Sequence, residues 1–191
     1  AVYIPWGTNT DIFVPNTLQR NQKSQQVVFF HSCGYDPYRK GTDLVIKAFS
    51  QIADNPDAFL IIHSQVDLNK MFSELTPVIN KLIENKQLEI ICKTVPPPGL
   101  YELGDVYLYP SRLDGIGLTI VEALSSGLPV ITTNFPPMNE FINENNGALI
   151  DVSRIYARAD GYYWPKNEPS VDSLKAKMLF FFDNKERLLA Y

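Results

Sequence analysis

The sequence predicts an α/β fold, a doubly wound parallel sheet of about six strands, and three observations carry that prediction. Short β-branched or aromatic runs recur at residues 27–31, 58–63, 88–93, 106–109, 130–133 and 148–151. These runs are continuously apolar rather than alternating, as strands buried on both faces of a parallel sheet are. Segments of helical period separate several of them, and that alternation requires right-handed crossovers with helices on both faces.

Taken in order, the first strand leads through a loop at 32–42 into a helix over 43–53, with Leu44, Ile46, Ala48, Phe49 and Ile52 along one side. Thr42 or Asp43 is expected to cap it. After the second strand, residues 69–85 carry Met71, Phe72, Leu75, Val78, Ile79, Leu82 and Ile83 at amphipathic spacing. Pro77 behind Thr76 fits an N-cap followed by a first-turn proline, which allows two short helices in place of one. The third strand precedes Val95-Pro96-Pro97-Pro98-Gly99, and the fourth precedes a loop at 110–118. A helix over 118–126 is closed by Gly127 and Pro129. Beyond the sixth strand, residues 153–169 read as one long loop rich in aromatics, Tyr156, Tyr162, Tyr163 and Trp164, suited to a lid or packing arm. The last helix is expected to start at Ser170 as N-cap, with Asp172 in its first turn and Leu174, Met178, Leu179, Phe181, Phe182 and Leu188 facing the core.

Composition bounds the rest. A length of 191 residues predicts one domain, with residues 1–25 as a linker and leading segment and 26–191 as the core and final helix. At 45% hydrophobic and 20% charged, the chain is too apolar for disorder. A net charge of -4 argues against nucleic acid or an anionic membrane as partner, since both reward a basic surface. Cys33 and Cys92 are expected as reduced thiols, and no apolar run approaches the roughly 18 residues of a membrane span, so a cytoplasmic protein, at most peripheral to a membrane, is expected. The strand-like Val2-Tyr3-Ile4-Pro5 without an initiator Met reads as the start of a piece of something longer.

The two loops that a 3-2-1-4-5-6 strand order would bring together are chemically unusual. The first ends in Tyr38-Arg39-Lys40-Gly41 just before a helix, where cations and backbone amides together favour an anion. The second reads Pro110-Ser111-Arg112-Leu113-Asp114-Gly115-Ile116-Gly117-Leu118, with Thr119 and Glu122 in the helix behind it. Gly115 and Gly117 let a ligand approach the backbone, but the spacing is neither a dinucleotide fingerprint nor a P-loop. Glu122 leans back toward the helix start and suits hydroxyls such as a ribose diol; Asp114, eight residues earlier, suits a second set. Two carboxylates, glycines and a facing cation pair predict a ligand with a central diphosphate and hydroxyl-rich rings at both ends, a nucleotide sugar. Either carboxylate alone would read as a loop cap or a surface acid.

The stretch 105–151, with Pro110-Ser111, Asp114-Gly115-Ile116-Gly117-Leu118, Glu122-Ala123, Gly127-Leu128-Pro129-Val130-Ile131, Glu140 and Asn146-Gly147, resembles the donor-binding half of retaining GT-B glycosyltransferases of the family 4 type. The Arg39-Lys40-Gly41 element and the opening 4–15 are similar to that family too. The resemblance implies a Rossmann-like half of a GT-B fold and a retaining, metal-independent hexosyltransferase with no cofactor beyond the nucleotide-sugar donor. It also implies a glycan, lipid-linked or protein acceptor bound by an N-terminal domain, without which the piece is inactive. Asp114 and Glu122 match the two acids of the family's E-x7-E motif, which assigns Asp114 to the transferred sugar and Glu122 to the ribose. Lys40 and Arg39 would neutralise the diphosphate, joined by the amides of Gly117, Leu118 and Thr119, beside Gly115 and Ile116. Gly34 and the Lys93, Thr94, Val95 stretch would border the base.

Two departures stand out. The first acid is Asp rather than Glu, one methylene shorter. Ser32-Cys33-Gly34-Tyr35 also lacks the family's usual arginine after the first strand, for which Arg39 would stand in. No Asp-x-Asp triplet occurs. His31 and His63, at strand ends, read as structural. Other readings of the same site are a sugar-nucleotide epimerase of GT-B architecture and a non-catalytic sugar-nucleotide-binding module. A glycosidase, whose acids must flank an open sugar cleft, fits poorly.

Overall fold

Six parallel strands, β1 (Val27–Gly34), β2 (Ala58–Ser64), β3 (Leu88–Cys92), β4 (Val106–Tyr109), β5 (Val130–Thr133) and β6 (Gly147–Ile150), form one sheet in the order β3-β2-β1-β4-β5-β6. The computed structural model describes residues 6–15 and 26–189, the side chains of 187 and 189 excepted; Val2 to Pro5 and residues 16–25 lie outside the described residues.

Both faces are buried along the inner strands, which is why these read as apolar runs, whereas the edge strand β3 leaves Glu89 and Cys92 exposed. Phe29, Leu60, Ile62, Val106 and Leu108 face one side, packed with residues of α1 (Thr42–Ser50), α3 (Thr76–Glu84) and α5 (Val171–Asp183). Their neighbours Phe30, Ile61, Tyr107, Tyr109 and Val130 face the other, against Ile120 and Ala123 of α4 (Leu118–Ser125). Each fully buried large side chain contributes about 1.5–3 kcal/mol of transfer free energy. The leading segment lies over this second side: Ser125 donates to the Phe13 carbonyl at 2.6 Å, and Phe13 meets Tyr101 edge-on.

The 69–85 segment is indeed broken, into α2 (Leu68–Met71), a 3-10 turn at Ser73–Leu75, and α3. Asp67 caps α2 through its side chain, whereas Thr76 is the first residue of α3 and Leu75 stands at the cap position. Met71 and Ile83, counted with the apolar face, are exposed. Ser170 caps α5 by accepting from the Ser173 amide, as expected. Leu188 lies past its end, in the 3-10 turn Lys185–Leu189.

The main topological correction concerns 153–169. Instead of a loop it forms an antiparallel hairpin, β7 (Val152–Tyr156) with β8 (Lys166–Pro169), whose tip carries exposed Tyr162, Tyr163 and Trp164. Its strands are short, β7 is largely solvent-facing and the buried residues of β8 are Asn167 and Pro169, so apolar periodicity gave no sign of them. Among the described residues no helix is long and apolar enough to cross a membrane.

Candidate functional site

Strands β1 and β4 are adjacent and parallel, pairing Phe29 with Val106 and Phe30 with Tyr107. Their carboxyl ends feed the two loops singled out from the sequence, and the loops touch. The Arg112 amide donates to the Arg39 carbonyl at 2.8 Å, and the Arg39 guanidinium donates to the Leu113 carbonyl at 2.9 Å. Gly41 makes the approach possible. It sits at φ 75°, and a Cβ there would lie 2.1 Å from the Pro110 carbonyl oxygen. Gly41, not Thr42 or Asp43, therefore occupies the cap position of α1, and it offers no side-chain cap.

Both displaced candidates are engaged elsewhere. Thr42 donates its hydroxyl to His31 Nε2 at 2.8 Å, while His31 Nδ1 donates to the Leu108 carbonyl at 2.8 Å. Burial, partly opposed by that carbonyl, pushes the imidazole down to about 4, so it is a neutral structural bridge between β4 and α1. Asp43 is drawn into a buried ion pair described below.

Asp114 is the most heavily bonded acid of the site. Its Oδ1 accepts from the amides of Gly115 at 2.8 Å and Gly117 at 3.1 Å, with Ile116 farther off at 3.4 Å. Its Oδ2 pairs with Lys40 Nζ at 2.7 Å and Arg39 at 3.3 Å, and also accepts from the Tyr109 hydroxyl. Lys40 in turn donates to that hydroxyl and stands 4.4 Å from the Tyr109 ring centroid. Burial alone would raise the Asp114 carboxyl, but Lys40 and these donors outweigh it and hold it well below the usual carboxylate range. The loop-cap reading of Asp114 is thus realised, and the same side chain pairs with the facing cations.

The capping corrects one expectation. The Gly117 amide is already spent on Asp114. The amides of Leu118 and Thr119, the first two of α4, have no acceptor among the described residues, so the helix start still offers two aimed donors.

Glu122, in the second turn of α4, accepts from the Tyr101 hydroxyl at 2.7 Å and is half-buried. At the other end of the site the strand ends of β1, β2 and β3 are cross-linked. His63 donates from Nε2 to the Lys93 carbonyl at 2.8 Å, and its Nδ1 bonds the Ser32 hydroxyl. Gln65 bonds Thr94 through its side chain and the Gly34 carbonyl through its amide. Lys93 and Thr94 are exposed, and Val95 is half-buried.

Sequence reasoning missed the residue that clamps these loops. Arg112 is only 2% exposed and forms a bidentate pair with Asp43 at 2.7 and 2.9 Å. It also pairs with Glu168 of β8 at 2.7 Å and donates to the Tyr38 carbonyl at 2.6 Å, with its guanidinium 4.1 Å over the Tyr38 ring. Asn167 completes the junction by donating twice to the Arg112 carbonyl. Burial opposes the charge, but Asp43 and Glu168 outweigh it and keep the guanidinium protonated. One side chain thus fixes the start of α1, the Lys40 loop, the Asp114 loop and the hairpin. Its partners stand 69 and 56 residues away, a separation that no local pattern signals. Tyr101 and Tyr109 were missed as well, because aromatic residues in and beside a strand read as core.

Comparison with known proteins agrees with this fold. The O-antigen biosynthesis glycosyltransferase WclY of Escherichia coli is 27% identical over 129 residues, which is 63% of this chain and 35% of that protein. The chain therefore spans about a third of that relative's length. Among solved structures, HepE of Anabaena in complex with UDP superposes with a TM-score of 0.71 at 17% identity, over 95% of this chain and 48% of that one. The C-terminal domain of a glycosyl transferase group 1 family protein from Francisella tularensis superposes with a TM-score of 0.69 at 20% identity, over 95% of this chain and 91% of that one. At such identities the likeness is one of fold. The sequence model of one family, the glycosyl transferases group 1, matches residues 15–187, and with that match over nearly its whole length the chain belongs to this family.

Proposed function

We propose that this chain is the donor-binding C-terminal half of a retaining, metal-independent hexosyltransferase, moving a sugar from a nucleotide-diphosphate sugar to an acceptor held by an N-terminal half. The observation that carries this reading is the pairing of Lys40 and Arg39 with Asp114 in the loop that leads into α4, whose Leu118 and Thr119 amides have no acceptor among the described residues. Glu122 lies one turn further on. That is a charge distribution for a diphosphate flanked by hydroxyls. Two fold neighbours support it: one was solved with UDP, and the other is itself a C-terminal domain.

In this reading the diphosphate competes with Asp114 for Lys40 and Arg39. When it takes the cations, Asp114 Oδ2 is released to accept from hydroxyls of the transferred sugar, while Oδ1 keeps the loop capped. Glu122 holds the ribose, and the base lies along Gly34, Lys93, Thr94 and Val95. As the bond between the anomeric carbon and the phosphate oxygen breaks, the electron pair stays on the phosphate. Lys40, Arg39 and the two helix amides stabilise that growing charge, the step at which such an enzyme acts. These cations supply the positive charge that a divalent ion would otherwise bring.

A thermal-shift screen of the chain against UDP, GDP, ADP and their common sugars tests the reading. A ligand at about 100 times its Kd adds about 2.7 kcal/mol to stability, a rise of about 5–10 °C in Tm. Stabilisation by one nucleotide family is expected, and none at millimolar concentration would overturn it. For the protein with its N-terminal half, proton NMR of the product reads the anomeric configuration, which is retained if the mechanism is as stated.

A further inference from the structure

The two acids of the site share a feature that nothing in the E-x7-E spacing requires: each accepts a hydrogen bond from a buried tyrosine. Tyr101 donates to Glu122 Oε2 at 2.7 Å, and Tyr109 donates to Asp114 Oδ2. The two rings are joined through a third, with Tyr101 edge-on to Tyr107 at 5.4 Å and Tyr107 stacked on Tyr109 at 5.9 Å. Tyr101 is further wedged edge-on between Phe30 and Phe13. We propose that Tyr101 and Tyr109 are positioning residues, the ends of a rigid aromatic ladder that aims Glu122 at the ribose and Asp114 at Lys40. The inference rests on the donor-site reading above and adds residues to it.

Three physical arguments carry it. A buried phenol has only two torsions, and packing fixes both, so its hydroxyl marks a point in space more sharply than a lysine or glutamine could. Burial first, then the neighbouring ring and carboxylate, push both phenols well above their ordinary value, so each keeps its proton and acts as donor. A carboxylate steadied on one oxygen keeps the other for a ligand: Tyr101 holds Oε2 of Glu122, and Oε1 has no partner among the described residues. A purely packing role would need no hydroxyl. A buried hydroxyl costs stability unless it is bonded, and the acceptor found for each of these two is a carboxylate of the site.

The test is calorimetric titration of the chain and of Tyr101→Phe and Tyr109→Phe, which keep the rings, with inorganic pyrophosphate and with whichever of UDP, GDP and ADP the unaltered chain binds best. Tyr101→Phe is expected to weaken the nucleoside diphosphate about fivefold to tenfold and pyrophosphate less than about twofold. Tyr109→Phe is expected to weaken both alike, through Lys40. In a Glu122→Gln background the Tyr101→Phe loss should vanish, because the phenol acts only through that carboxylate. If the unaltered chain binds no nucleoside diphosphate, the donor-site reading itself fails. If it binds one, and the Phe variants change only Tm while leaving both affinities unchanged, the tyrosines are packing residues and the inference is overturned.

Discussion

Asp114 and Glu122 belong to one loop-helix unit, yet their surroundings are opposite. Asp114 has both oxygens committed, one to backbone amides of its own loop and the other to Lys40, Arg39 and Tyr109. Among the described residues, Glu122 is held by a single phenol. The first acid is therefore built into the scaffold that shapes the loop and balances its cations, whereas the second hangs from that scaffold by one hydrogen bond. Removing each should have different consequences.

The largest difference lies in stability. Asp114→Ala leaves Lys40, 14% exposed, without its counter-ion and uncaps the loop, and should cost about 3–5 kcal/mol. Glu122→Ala should cost under about 1 kcal/mol, the net worth of one hydrogen bond. Urea midpoints at constant m-value measure both, and equal losses would break the comparison. Next in size is anion binding. Lys40→Ala should weaken pyrophosphate by about 1.5–3 kcal/mol if its charged hydrogen bonds are desolvated. Asp114→Asn should bind pyrophosphate more tightly than the unaltered chain, since the internal competitor has lost its charge. Calorimetry checks the two together.

Acidity sharpens the comparison further, because groups with depressed native values lose their contribution as pH falls. For His31, lowered to about 4 from 6.5, the unfolded state binds the extra proton between those values. Stability should therefore decline from pH 6.5 downward by up to about 1.4 kcal/mol per pH unit, and this slope should be missing in His31→Gln. The Asp114 contribution is complete above the ordinary carboxylate range and should be lost only below about pH 4, a limb absent in Asp114→Asn. Denaturant midpoints measured between pH 7 and 3 separate the two windows. The smallest effect belongs to Glu122→Ala on pyrophosphate, expected within about twofold, while the same variant weakens a whole nucleoside diphosphate by about 1–2 kcal/mol.

What could be read from the sequence follows the same division between local and distant causes. The strands were legible because burial leaves apolar runs, and the glycines at 115 and 117 marked the loop locally; the 3-2-1-4-5-6 order was supposed as the common one for such sheets, and the sheet has it. The cap of α1 was misread because His31, on β1, takes the Thr42 hydroxyl, and Gly41 stands at the cap position instead. The hairpin was invisible because its pairing is secured by Arg112 meeting Glu168 and Asn167, while Ser153 and Arg154 face solvent. Tyr101 and Tyr109 were legible as apolar mass but not as donors, since a hydroxyl's acceptor is chosen by tertiary packing.

The central claim is that a diphosphate and Asp114 exchange places on Lys40 and Arg39. A crystal structure of the chain with a bound nucleoside diphosphate tests it most directly. The account predicts the terminal phosphate on Lys40, Arg39 and the Leu118 and Thr119 amides, Glu122 on the ribose, and Asp114 Oδ2 parted from the Lys40 ammonium. A nucleotide bound elsewhere, or bound here with the Asp114–Lys40 pair intact, would contradict it.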